Sequence, residues 1–135
     1  MNVLKLINLG SKELRSKSIN SSILDSEILL SKVLRKKRER ILVDLKDQVT
    51  TNQILKYNQL IKRRSLKEPI AYILKKKEFW SKYFEVNENT LIPRPETELM
   101  VEKLIKIYKG RKISILDIGT GSGCILISLL SELID

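Results

Sequence analysis

Three glycines at alternate positions, Gly119, Gly121 and Gly123, follow an apolar run holding one acid, Asp117, and precede a second apolar run. The order Ile115-Leu116-Asp117-Ile118-Gly119-Thr120-Gly121-Ser122-Gly123 reads as a strand, a tight turn and a helix start. Glycine lets a ligand approach the backbone with no Cβ in the way, and a helix N-terminus offers it free N–H groups. A phosphate-binding loop needs Lys and then Ser or Thr after its last glycine, but Cys124 and Ile125 follow Gly123. A dinucleotide loop of the form G-x-G-x-x-G needs glycine where Cys124 or Leu126 stands. What remains is the pattern apolar-apolar-Asp-x-Gly-x-Gly-x-Gly. The alternative is a purely structural turn between a strand and a helix.

Elements must hold this loop in place. Residues 113–118 predict a strand apolar on both faces except at Ser114 and Asp117, as in a buried parallel sheet. Residues 124–134 predict a helix with little polar surface beyond Ser128, Ser131 and Glu132, which needs partners on more than one side. Upstream, Pro93 and Pro95 flank Arg94 and stiffen the backbone, and Glu96-Thr97-Glu98 open a helix that Gly110 ends. Phe79-Trp80 and Tyr83-Phe84 bracket Ser81-Lys82, which could turn a short β-hairpin. Residues 1–66 read as helical. A first amphipathic segment starts at Val3 and is broken at Gly10-Ser11. A second carries Leu24, Ile28 and Leu29, with Ser22 as its cap and Asp25 and Glu27 suiting its first turn. The cationic run 35–40 is a solvated helix end or loop. Thr50-Thr51 then cap a helix with Ile54, Tyr57, Leu60, Ile61 and Arg64 on one face, ended by Pro69. The expected core of this helical part is Leu24, Ile28, Leu29, Ile54, Tyr57 and Ile61.

Composition narrows the chemistry. The 135 residues contain no histidine and one cysteine, Cys124. That removes imidazole bases, His-paired nucleophiles and internal disulfides, and no metal site is expected. No apolar run reaches membrane-spanning length, and residues 1–14 lack the layout of a signal peptide, so a cytoplasmic protein is expected. Residues 1–90 hold 20 Lys+Arg against 10 Asp+Glu, whereas residues 91–135 hold 6 of each. A basic front could attract RNA or an acidic partner. Solvated lysines on helix faces explain it as well, since the basic runs lack interleaved aromatics.

The loop pattern resembles the first motif of S-adenosylmethionine-dependent methyltransferases. Glu68-Pro69-Ile70, Glu78-Phe79-Trp80, the run Leu-Ile-Pro-Arg-Pro-Glu-Thr-Glu at 91–98 and the glycine loop together resemble the release factor glutamine methyltransferase family. Asp25-x-Glu27 followed by apolar residues is similar to that family's N-terminal helical domain. The resemblance implies methyl transfer from S-adenosyl-L-methionine to the glutamine amide nitrogen in the GGQ motif of peptide chain release factors. It implies an all-α helical bundle over residues 1–68 that docks the release factor, and a linker with a β-hairpin over 69–92. Residues 93–135 would be the first strand and helix of a truncated α/β Rossmann-like domain. Gly119, Thr120, Gly121, Ser122 and Gly123 would line the methionine end of the cofactor, with Asp117 ordering the turn. Arg94 and Glu96 would either shape the pocket floor or fix the linker. Two departures stand out. Lys75 occupies a usual glycine position, and the family's catalytic Asn-Pro-Pro-Tyr is absent, since Pro69, Pro93 and Pro95 are the only prolines and none follows Asn. The chain alone is therefore expected to be inactive. A non-catalytic helical docking module is the competing reading, and a nucleic-acid methyltransferase fits the helical front less well.

Overall fold

A computed structural model describes residues 1–133, so Ile134, the expected last helical residue, lies outside the described part. The chain forms two compact units, 1–74 and the residues from Lys75 onward.

The first unit is helical. Helix α1 (Val3–Ser16) starts at Asn2, whose side chain accepts the Lys5 N–H at 3.0 Å. It buries Val3, Leu6, Ile7, Gly10, Ser11 and Leu14, a three- and four-residue spacing that runs unbroken for the whole helix. The expected break at Gly10-Ser11 is thus overturned. A Cβ on Gly10 would lie 2.0 Å from the Tyr57 hydroxyl and 2.9 Å from the Ser26 Oγ. Glycine is there to admit two neighbouring helices, not to end α1. Two further N–H groups at the start of α1 donate to the 45–49 segment: Val3 to the Asp47 carbonyl and Leu4 to the Leu45 carbonyl, both at 3.1 Å.

Helix α2 (Ser22–Leu34) packs on α1 and buries Ser22, Asp25, Ser26, Glu27, Leu29 and Leu30. The buried face is turned toward those residues, so Leu24 is exposed and Ile28 only half-buried, contrary to expectation. Leu29, Tyr57 and Ile61 are buried as expected, and Ile54 packs against them half-buried. Ser22 is the first helical residue, and Ser21 takes the cap position. Asp25 does more than suit a helix dipole. Its Oδ2 accepts the Ser21 hydroxyl at 2.8 Å and the Arg64 Nε at 2.7 Å, while Arg64 Nη1 donates to the Glu68 carbonyl at 3.0 Å. One buried pair thus ties α2 to the end of α4 (Thr51–Ser65) and to the turn before Pro69. Glu27, also buried, accepts the Arg38 Nε at 2.7 Å.

Arg38 belongs to α3 (Arg38–Val43), so the second half of the cationic run is helix rather than loop. Ile41 is its buried anchor, and Lys36 bridges Asp44 and Asp47 just outside it. Helix α4 opens with a full capping box, Thr50 with Gln53. A short helix α5 (Ile70–Leu74) follows Pro69, where the sequence reading placed none, and buries Ala71 and Ile73.

The second unit begins with a two-stranded antiparallel sheet, β1 (Lys76–Phe79) and β2 (Lys82–Glu85). Phe79 pairs with Lys82, so the turn residues are Trp80 and Ser81, one position earlier than expected. Both are left-handed, with φ of 51° and 56°, as a two-residue hairpin with the right twist requires. Helix α6 (Thr97–Tyr108) and helix α7 (Cys124–Leu133) pack on this hairpin around Phe79, Phe84, Val101, Cys124 and Leu129. Leu129 is therefore covered, while Ile127 and Leu130 stay exposed. Residues 113–118 are not a strand: no ladder partner exists among the described residues, and Leu116 and Ile118 are 84% and 87% exposed. A parallel strand needs a neighbour for its N–H and C=O groups, and the only sheet among the described residues is the hairpin. No helix among the described residues is long and apolar enough to cross a membrane.

Two expectations about stability follow. Burial pushes the Tyr57 hydroxyl up to about 12, with Ser26 opposing. The unfolded chain releases this proton near pH 10, so the folded state holds it in excess from there to about pH 12. Stability is unaffected below pH 10 and should fall by about 3 kcal/mol across that window. Alkaline denaturation of Tyr57→Phe should lack that part of the decline, whereas identical curves for the two proteins would refute the assignment. Lys75 has a φ of 60°, the region that glycine enters freely. Lys75→Gly should raise stability by up to about 1 kcal/mol in urea unfolding, and a loss would show that the lysine side chain matters more than the backbone.

Candidate functional site

The glycine loop keeps a definite shape without a paired strand before it. Gly119, Gly121 and Gly123 all have left-handed φ, at 79°, 57° and 76°. Thr120 Oγ donates to the Asp117 carbonyl at 3.1 Å, and the Gly123 N–H returns to the Thr120 carbonyl at 2.9 Å. The Ile127 N–H then donates to the Gly123 carbonyl at 2.9 Å and starts α7. Local hydrogen bonds therefore close the turn.

The three glycines have different reasons. Nothing lies within 4 Å of a Cβ on Gly119, and only the Gly119 carbonyl, at 3.9 Å, is near one on Gly121. Those two are open backbone that a ligand could reach. Gly123 is buried, and a Cβ there would press on Ile127 Cδ1 at 3.2 Å, so it serves packing. Thr120 is exposed and Ser122 half-buried. Asp117 is half-buried, and its Oδ2 is shielded from solvent with no hydrogen-bond partner among the described residues. That oxygen is an unsatisfied acceptor turned away from solvent.

Arg94 and Glu96 are placed differently. Both side chains are exposed and make no hydrogen bond or ion pair among the described residues. Their backbones act instead: the Arg94 carbonyl accepts from Thr97 at 3.0 Å and the Glu96 carbonyl from Leu99 at 3.3 Å, leading the chain into α6. Pro93 between them and the hairpin is buried. Sequence reasoning passed over a third set, Trp80, Glu98 and Glu132. The Glu98 carboxylate accepts the Trp80 backbone N–H at 2.8 Å, and Glu132 accepts its indole N–H at 3.0 Å. The clustered aromatics pointed to packing, and nothing in the spacing of three residues so far apart announces these bonds. A cleft of about 480 Å³ lies in the first unit, with Arg15 and Arg38 in its lining, and no residue of the glycine loop lines it. No three His, Cys, Asp or Glu residues cluster as a metal site among the described residues.

Residues 5–74, more than half of the chain, match the family model of the PrmC N-terminal domain. The chain belongs to the PrmC family. Its curated relatives include a release factor glutamine methyltransferase of Buchnera aphidicola subsp. Acyrthosiphon pisum, 52% identical over 84 residues, which are 62% of this chain and 30% of that protein. One from Caulobacter vibrioides is 38% identical over 96 residues, 70% of this chain and 33% of the relative. A bifunctional methyltransferase of Rickettsia prowazekii is 39% identical over 117 residues, 73% of this chain and 23% of the relative. The chain spans about a third of the length of the release factor glutamine methyltransferases it matches.

The matched PrmC domain is the first unit, helices α1 to α5, so the glycine loop lies downstream of it. Gly121 is the sharpest probe of that loop, because its φ excludes branched side chains while its surroundings have room. Gly121→Val should strain the turn and speed hydrogen exchange of the Gly123 and Ile127 amides, whereas Gly121→Asn, which tolerates this φ, should leave them near the native rate. Equal acceleration in both variants would mean that crowding, not backbone conformation, is what the loop resists.

Proposed function

We propose that this chain contributes the N-terminal part of an enzyme that moves a methyl group from S-adenosyl-L-methionine to the glutamine amide nitrogen of the GGQ motif of peptide chain release factors. The observation that carries the reading is the glycine loop, with bare backbone at Gly119 and Gly121 and a buried, unsatisfied Asp117 oxygen, downstream of a PrmC N-terminal domain. The cofactor supplies an electrophilic methyl on a sulfonium. Gly119 to Gly123 would hold its methionine end, and Asp117 would accept from its ammonium group. Asp117 also orders the turn through its carbonyl bond to Thr120. Arg94 and Glu96 fix the linker through their backbones. The domain plan that goes with this reading has residues 1–68 docking the release factor, 69–92 linking, and residues from 93 opening a Rossmann-like α/β fold in the cytoplasm.

An amide nitrogen is a poor nucleophile, because its lone pair is delocalised into the carbonyl. It must be held in line with the methyl, and its N–H groups must find acceptors as the bond forms. An Asn-Pro-Pro-Tyr run is the expected source of that acceptor, and these 135 residues do not contain one. By themselves they hold the cofactor loop without the grip on substrate. A second reading, a helical docking module that does no chemistry, is favoured by the unpaired backbone and exposed side chains of residues 113–118.

The two readings separate in one assay with tritiated S-adenosylmethionine and a release factor. The 135-residue polypeptide should bind release factor and transfer no methyl. A chimera completed with the remaining sequence of the Buchnera relative should methylate the GGQ glutamine, and lose that product when the glutamine is replaced by alanine. Transfer by the short chain alone, or methylation by the chimera at another site, would overturn the proposal.

A further inference from the structure

The turn of the hairpin is built from the wrong residues for its conformation. Two-residue hairpin turns of this hand favour Asn-Gly or Gly-Gly, because both positions need φ above zero. Here they are Trp80 and Ser81, at 51° and 56°. A bulky side chain in this region is strained and persists only where its surroundings over-determine it.

Those surroundings are specific. The Trp80 N–H donates to the Glu98 carboxylate at 2.8 Å, in the first turn of α6. The indole N–H donates to the Glu132 carboxylate at 3.0 Å, in the last turn of α7. Between these ends the indole packs on the cluster of Phe79, Phe84, Val101, Cys124 and Leu129. Cys124, directly after Gly123, belongs to the same cluster, and the indole also hydrogen-bonds the far end of α7.

We infer that Trp80 is a positioning residue: its bonds to Glu98 and Glu132 set where α7, and hence the glycine loop at its start, lies against α6. The inference rests on the reading of that loop as the cofactor site for its functional meaning, but its physical content does not. The strained turn aims the indole at α7, and the two glutamates hold it there. A glycine turn would relieve the backbone and lose the link.

Hydrogen exchange of the whole chain tests this without cofactor. The amides of Gly123 and Ile127, bonded to the Thr120 and Gly123 carbonyls, report the loop. Glu132→Ala, at an exposed position that leaves folding intact, should speed their exchange roughly tenfold, as loss of a charge-assisted hydrogen bond implies. Trp80→Phe, which keeps an aromatic ring, should do the same. The double variant should exchange no faster than either single one, because both remove one bond. Glu132→Gln keeps an acceptor and should restore the native rate. Unchanged rates in Glu132→Ala, or additive effects in the double variant, would refute the coupling. Trp80 is the only tryptophan, so its emission gives a second signal. Added S-adenosylhomocysteine should shift that emission in the native chain and not in Glu132→Ala. Calorimetric binding with no emission change in the native chain would count against the coupling. Absence of any binding would instead defeat the cofactor reading, and the exchange rates would still decide the role of Trp80.

Discussion

Every backbone N–H and C=O group taken from water needs a partner, and this requirement divides the molecule. In the first unit it is met locally. Asn2 and the Thr50–Gln53 box cap helices, and the 45–49 segment accepts the free donors at the start of α1. In the second unit residues 113–118 find no ladder among the described residues, and they stay exposed, Leu116 and Ile118 most of all. The glycine loop must then take its position from elements other than the strand that precedes it. Its own turn bonds and the hairpin cluster provide that support.

The first unit places polar groups where a simple helical bundle would place leucines. Asp25, Glu27, Ser22, Ser26 and Tyr57 are all buried between α1, α2, α3 and α4. The two carboxylates are each matched by an arginine from a later helix, Arg64 or Arg38, so the charges fix which helices meet. Breaking either pair would leave a buried ion without a partner, which costs more than the pair contributes. Tyr57 works by shape. Its hydroxyl fills the space above Gly10, and the absence of a Cβ there sets the closest approach of α1 and α4. Alanine would gain helix propensity at position 10 and lose this fit.

Strain is concentrated at the start of the second unit. Lys75, Trp80 and Ser81 all sit in left-handed backbone within seven residues, at the two ends of β1. Around them the Phe79 and Phe84 rings meet edge to face at 6.2 Å, and Lys76 lies over Tyr83. A two-stranded hairpin alone is marginal in water. This one is held by packing on α6 and α7, and the same packing tolerates the strained turn.

The sequence by itself determined the helical front, the helix cap at Thr50, the hairpin, the starts of α6 and α7, and the glycine loop. Each of these rests on interactions within a few residues, such as helical spacing, caps and the φ preference of glycine. Only the tertiary structure decided the rest. It showed that Gly10 is a packing site inside a helix, that the buried face of α2 passes through Asp25 and Ser26 rather than Leu24, and that the hairpin turns on Trp80-Ser81. It also showed that 113–118 is unpaired and that Glu98 and Glu132 meet at Trp80. Three of these join residues distant in sequence: 10 with 57, 25 with 64, and 80 with 132. Periodicity tells which residues share a face. It does not tell which helix arrives there, and a strand pattern stays only a pattern until a neighbour supplies the other half of its hydrogen bonds.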